Sequence, residues 1–263
     1  YQLNATLSFE PISIPPLLHE LLTHAKWTYE QTGGAFDPTI APLVNLWGFG
    51  PVSTNRLSIP TEKEIDETLL STGMNQLELL SGFKVRKKHP ALQIDLSASA
   101  KGDIIDQVCE VLDRRELSNY LVEIGGEIRA SGNGKSGEGW IIGLEDGSED
   151  KSNELSTVNL LNYSVATSGT YRQSKPNPDS AKPATHLIDP RTGRPVEHDL
   201  VAVNVLAPTA RDADALATAL MVLGPDQGMA LAEEMDLSAR FCLKEANGTR
   251  MIFSPTYQRL FDE

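Results

Sequence analysis

The chain has 263 residues, a formal net charge of −13, 40% hydrophobic and 22% charged residues, and two cysteines. That much apolar side chain supplies a substantial core and excludes a disordered, collagen-like or disulfide-stapled chain. The acidic balance argues against a nucleic-acid or anionic-lipid surface, because phosphate binders gather Lys and Arg on one face, and no apolar run approaches the roughly 20 residues of a spanning helix.

The chain opens Tyr1-Gln2-Leu3-Asn4, with no Met, no charged n-region and no apolar h-region, which predicts a removed leader or a fragment. Pro15-Pro16 followed by Leu17, Leu18, Leu21, Leu22 and Ala25 predicts a helix with prolines in its first turn, stopping at Gly33-Gly34. Thr61-Glu62-Lys63-Glu64 fits a capping box, so a short helix is expected to run to Ser71. Gln76 to Leu80, Phe83 to Arg86 and Ala91 to Leu96 read as strands, the first two joined across Ser81-Gly82. The basic run Lys84, Arg86, Lys87 and Lys88 lacks interleaved aromatics and reads as a solvated strand end. Ile104, Ile105, Val108, Val111 and Leu112 recur with helical period, so a helix is expected over Asp103 to Arg115, just after Lys101-Gly102.

Strands are then expected at Tyr120 to Ile124, Glu127 to Ser131, Gly139 to Leu144, Leu161 to Ala166, His186 to Ile188 and Leu200 to Leu206, with surface loops at Asp146 to Asn153 and Gln173 to Lys182. Asp212 to Leu223 predicts a helix ended by Gly224-Pro225, and Asp226 to Met235 another. The closing hairpin pairs Ala239 to Lys244 with Arg250 to Phe253 across Asn247-Gly248. Cys109 and Cys242 stand among apolar neighbours and read as buried free thiols. The pattern predicts one α+β domain, in one or two lobes, with mixed or antiparallel sheets flanked by helices.

Several constellations could carry chemistry. Asp214 and Thr218 share a helix face one turn apart, a carboxylate and a hydroxyl suited to Mg²⁺ or Ca²⁺; alternatively Asp214 complements the helix dipole and Thr218 bonds back to a carbonyl. Asp95-Leu96-Ser97-Ala98-Ser99-Ala100-Lys101-Gly102 offers small residues, a lysine and a helix start to a phosphate, or is an ordinary connection. Gly33-Gly34-Ala35-Phe36-Asp37-Pro38 can bring backbone against a flat ligand, or stop a helix. His186 lies between a short strand and the turns of Asp189-Pro190 and Thr192-Gly193, as a structural or a catalytic imidazole. No nucleophile elbow, zinc-protease or dithiol motif is present.

Taken in order, the segments Thr32-Gly33-Gly34-Ala35-Phe36-Asp37-Pro38, Pro42 to Gly50, Asp95 to Gly102, Gly125-Gly126-Glu127, Ala166 to Arg172, His186 to Gly193 and Ala213 to Thr218 resemble the FAD:protein FMN transferase (ApbE-type flavin transferase) family. The resemblance implies FAD contacts at Ala35, Phe36, Asp37, Asp95, Lys101 and Ile188, and Mg²⁺ held by the carbonyl of Ala98 and the side chains of Asp214 and Thr218. Some members have a second Asp where this chain has Ala217. The implied reaction is attack of a Thr or Ser hydroxyl of an acceptor flavoprotein on the FMN-side phosphorus of FAD, releasing AMP. His186 is the expected proton acceptor, imidazole having an unperturbed pKa near ~6.5. An FAD pyrophosphatase and a non-enzymatic FAD carrier are the alternatives. The resemblance also implies a periplasmic or extracytoplasmic setting, with lipoprotein anchoring in some members and cytoplasmic members known. Asn4 matches the end of a Ser-Glu-rich segment, so the family's leader and first strand are expected before Tyr1.

Overall fold

The computed structural model describes residues 2–51, 58–135, 137–147, 156–171, 173–177, 182–246 and 248–261. In chain order the first elements are α1 (Gln2–Ala5), β1 (Ile12–Ser13), α2 (Pro16–Gln31), α3 (Ala41–Leu46), α4 (Glu62–Leu69), β2 (Leu77–Leu80) and β3 (Lys84–Lys87). Next come α5 (Ala100–Arg114), β4 (Tyr120–Ile124), β5 (Glu127–Ser131), β6 (Trp140–Leu144), β7 (Ser156–Leu160) and β8 (Ser164–Gly169). Four two-residue strands follow: β9 (Ser174–Lys175), β10 (Ala184–Thr185), β11 (Ile188–Asp189) and β12 (Arg194–Pro195). The chain continues through β13 (Leu200–Ala207), α6 (Ala210–Glu234), β14 (Ser238–Glu245), β15 (Gly248–Phe253) and α7 (Pro255–Phe261). Every strand pairing among the described residues is antiparallel, in keeping with the expected α+β class.

Two compact units divide these elements. The first comprises residues 1–96 and 173–197. Its sheet runs β1-β3-β2, and α2 starts on Pro16 with the expected proline at its first position. Leu22, Met74, Leu77, Val85 and Leu92 form one core cluster. Leu43, Trp47, Ile65, Ala184 and Ile188 form another. The capping box of α4 is formed in both directions: Glu64 N–H donates to Thr61 Oγ1 and Thr61 N–H to Glu64 Oε2.

The second unit comprises residues 97–172 and 198–263. Its six-stranded sheet has the order β15-β14-β13-β8-β5-β4, and α6 packs on β13 and β8 while α5 packs on α6. By length and mean composition α6 alone among the described residues is long and apolar enough to cross a bilayer, although charged residues and the Gly224 break interrupt it. It is instead a core helix: Ala213, Ala215, Ala217, Ala219, Leu220 and Met221 have no exposed surface. Gly224, at φ 77°, breaks it before Pro225, as the Gly-Pro pair predicts.

Several expectations need correction. Ala91 to Leu96 is not a strand; its backbone groups go elsewhere, with the Asn4 amide bonding Ile94 N–H and C=O at 2.8 Å each and Asp95 N–H donating to Pro38 O at 2.7 Å. Leu161 to Ala166 is also not one strand, because Asn162 takes a left-handed turn (φ 58°) between β7 and β8. The helix expected from Asp103 begins at Ala100, so Lys101 and Gly102 lie in its first turn. Lys87 is not solvated: strand alternation turns it inward with Val85, and its ammonium donates to Thr6 O at 3.0 Å. Ser174–Lys175, inside the Gln173 to Lys182 stretch expected to be a loop, pairs with Ala184–Thr185 beyond it. Cys109 and Cys242 are buried free thiols, as expected. Asn247 of the last hairpin turn, Arg172, most of the Asp146 to Asn153 loop and positions 178–181 lie outside the described residues.

Candidate active site

In the first unit the chain leaves α2 through Gly33 (φ 57°) and Gly34 (φ 82°), left-handed positions that only glycine adopts cheaply. Tyr29 covers Gly34 closely enough that a Cβ there would lie 3.3 Å from its ring. The turn then buries Ala35, Phe36 and Asp37. Thr32 Oγ1 accepts from Phe36 N–H at 3.1 Å, and Asp37 Oδ1 accepts from the Thr39 N–H at 2.7 Å and hydroxyl at 2.6 Å. Burial nonetheless pushes the Asp37 carboxyl up to about 6, against the lowering effect of the Thr39 and Met74 hydrogen bonds. The Asp95–Pro38 bond sets Asp95 beside this turn, so four of the expected flavin-contacting residues stand together.

His186 does not continue a strand into Ile188. A bend at His186 separates β10 from β11. The His186 ring lies edge-on to Phe49, centroids 6.5 Å apart, and Lys175 sits over the other ring, 4.9 Å from the Phe49 centroid. His186 Nδ1 is 3.1 Å from Gln173 O, which can only accept, so Nδ1 carries the proton and Nε2 is the basic nitrogen. Ile188 has its side chain in the cluster of Leu43, Trp47 and Ile65, and its backbone pairs with Pro195 of β12.

In the second unit the start of α5 meets Asp214 of α6. Ala98 lies in the turn before the helix, and Ser99 O accepts from Asp103 N–H at 3.1 Å. Gly102 allows α5 to touch the first turn of α6, since a Cβ there would lie 2.2 Å from Ala210 O. Asp106 of α5 locks that approach by accepting from Ala210 N–H (3.0 Å) and Arg211 N–H (2.9 Å), two otherwise open donors at the α6 N-terminus. Asp214 is then placed over Gly102, whose N–H donates to Oδ2 at 3.1 Å, with Lys101 Nζ 3.4 Å from Oδ1. One turn on, Thr218 Oγ1 is 3.1 Å from Ser168 Oγ on β8. Ala217 is fully buried and adds no side-chain oxygen.

Two residues lie in motifs named for the resemblance but had no role assigned to them from the sequence. Ser168 orients Thr218. Glu127, first residue of β5, is 1% exposed, and its Oε1 lies 3.3 Å from Lys101 Nζ. Burial pushes the Glu127 carboxyl up; Lys101 opposes this and Asp214 adds to it. The signal available for Glu127 was an acid directly after the Gly125-Gly126 turn, a place where an acid is ordinarily solvated.

The donors fit Mg²⁺. Two buried carboxylates share one ammonium, leaving excess negative charge, and Asp214 and Thr218 supply hard oxygens of the kind Mg²⁺ takes. Among the described residues no three His, Cys, Asp or Glu side chains form a metal set, so a bound ion would keep several waters.

Comparison with known proteins shows the family and the fold. The chain matches the ApbE family over residues 1–241. The FAD:protein FMN transferase of Vibrio cholerae is 36% identical over 255 residues, covering 97% of this chain and 75% of that protein. Among solved structures, the flavin transferase ApbE from Vibrio cholerae aligns with a TM-score of 0.88 at 36% identity, covering 98% of this chain and 81% of that one. The apo form of Pseudomonas stutzeri flavinyl transferase ApbE aligns with a TM-score of 0.90 at 34% identity, covering 100% of this chain and 80% of that one. With its fold, its ordered motifs and nearly its whole length in agreement, the chain belongs to the ApbE family.

Proposed function

We propose that this protein transfers FMN from FAD to a Thr or Ser hydroxyl of an acceptor flavoprotein, with Mg²⁺ and with release of AMP. The observation that carries this reading is the Lys101, Asp214 and Thr218 arrangement where α5 meets α6, a cationic side chain beside oxygens suited to a divalent ion. The transferase names of relatives spanning nearly the whole chain support it.

FAD is the substrate, with Ala35, Phe36, Asp37, Asp95 and Ile188 as its contacts. The acceptor hydroxyl gives its proton to His186 Nε2 while its oxygen bonds the FMN-side phosphorus. The bond from that phosphorus to the bridging oxygen breaks, and AMP leaves with the electron pair. His186 is suited to this by its Nδ1–H donating to Gln173 O, which fixes both tautomer and ring orientation. When bound, Mg²⁺ held by Asp214, Thr218 and the Ala98 carbonyl supplies neutralisation of pyrophosphate charge. Lys101 adds a point charge on the same side.

Incubation with FAD and Mg²⁺, with and without an acceptor carrying an exposed Thr, tests the reading by intact mass. The acceptor is expected to gain one FMN residue as AMP forms in equal amount; free FMN in the same yield without acceptor would make the protein a pyrophosphatase. His186→Ala is expected to lower single-turnover transfer by about 10²-fold or more while FAD still binds. Unchanged transfer would remove His186 from the mechanism.

A further inference from the structure

Lys101 Nζ stands 3.3 Å from Glu127 Oε1 and 3.4 Å from Asp214 Oδ1. The two acid side chains are 2% and 5% exposed, whereas that of Lys101 is 35% exposed, so the lysine is the member of the trio with room to move. Glu127 keeps capacity in reserve, since its Oε2 is buried without a hydrogen-bond partner. The β4–β5 turn guides the lysine stem: a Cβ at Gly125 would lie 3.2 Å from Lys101 Cδ and 3.6 Å from Glu127 Oε2. Glycine therefore leaves room for the lysine stem beside Glu127, with the ammonium in reach of both carboxylates.

A divalent ion on Asp214 Oδ1 weakens the hold of that oxygen on the ammonium, because two cations that close repel in a partly buried site. Lys101 then shifts toward Glu127, the other carboxylate within reach. We propose that Glu127 is a positioning residue that receives Lys101 when a divalent cation takes Asp214, so that the Lys101–Glu127 pair sets the cation affinity of the site. This rests on the Mg²⁺ reading above. Lys101 acts as a tethered competitor in the cation-free protein, and Glu127 lowers the cost of displacing it.

The test is Mn²⁺ binding to the FAD-free protein, followed by electron paramagnetic resonance, for the wild type, Asp214→Asn, Glu127→Gln, Lys101→Met and the Glu127→Gln/Lys101→Met double variant. Glu127→Gln is expected to weaken binding by about tenfold, in the range of outer-shell changes at metal sites. Lys101→Met is expected to tighten it, a gain that misfolding cannot produce. In the Lys101→Met background Glu127→Gln should change affinity less than about twofold, because the residue it acts through is gone. Equal weakening in both backgrounds would overturn the proposal, showing that Glu127 acts by its own charge. Wild-type affinity in Glu127→Gln would overturn it as well. Unchanged binding in Asp214→Asn would instead refute the metal site on which the proposal rests.

Discussion

Gly102→Ala tests how closely α5 approaches α6. A Cβ at this position would lie 2.2 Å from Ala210 O, 2.5 Å from Ala210 C and 2.7 Å from Arg211 N. All three are backbone atoms, so no side chain can rotate away. Ordinary carbon–oxygen contact begins at about 3.3 Å, so the two helices must part by about 1 Å at this point. The separation loads the Gly102 N–H bond to Asp214 and the two bonds by which Asp106 holds the α6 N-terminus. Overpacking of this kind costs about 1–3 kcal/mol, and the better helix propensity of Ala returns about 0.8–1 kcal/mol at most. With only backbone available to give way, the upper end of that range, about 2–3 kcal/mol, applies, so the net loss of about 1–2 kcal/mol lowers Tm by roughly 2–8 °C in a chain of this size. Thermal melting read by circular dichroism measures it directly, and Mn²⁺ affinity should fall in parallel because Asp214 moves with α6. A variant melting at or above the wild-type temperature would refute the close-approach argument, since propensity alone predicts that outcome.

Two further predictions concern the first unit. Because the folded pKa of Asp37 lies above the ordinary 3.8, its proton-linked stability is complete below about 3.8 and is lost as pH rises through about 6. Asp37→Asn lacks this dependence, so urea denaturation should show its stability relative to wild type rising between about pH 4 and pH 7.5 by ~3 kcal/mol, the equivalent of roughly two pKa units. A constant difference would place Asp37 in a solvated setting. Thr61→Ala removes the cap of α4 and should cost about 1 kcal/mol, seen as a Tm lower by about 2–4 °C; an unchanged Tm would mean that the capping box does not contribute to the folded state.

The elements that could be read from the chain are those whose signals are local. Thr61 and Glu64 bond each other three residues apart, and the Gly224-Pro225 pair breaks α6 wherever that helix packs. Asp214 and Thr218 share a face by helical pitch alone. Errors arose where a backbone group found a distant partner. Ile94 looks like a strand residue, yet its two backbone groups are taken by the side chain of Asn4, ninety residues away. Lys87 looks solvated by charge, but the pairing of β3 between β1 and β2 turns it inward onto the Thr6 carbonyl.

By itself, then, the sequence determined the four longer helices α2, α4, α5 and α6, about half of the strands, the order of the family's motifs and the shared face of Asp214 and Thr218, because propensity, capping and periodicity act over one or two turns. Tertiary structure alone decided that Lys101 is shared between Asp214 and Glu127, that Ser168 meets Thr218 and that Gln173 orients His186. Those contacts join residues 13 to 113 positions apart. Only folding, which buries the carboxylates and so makes each unmatched charge costly, specifies which of them meet.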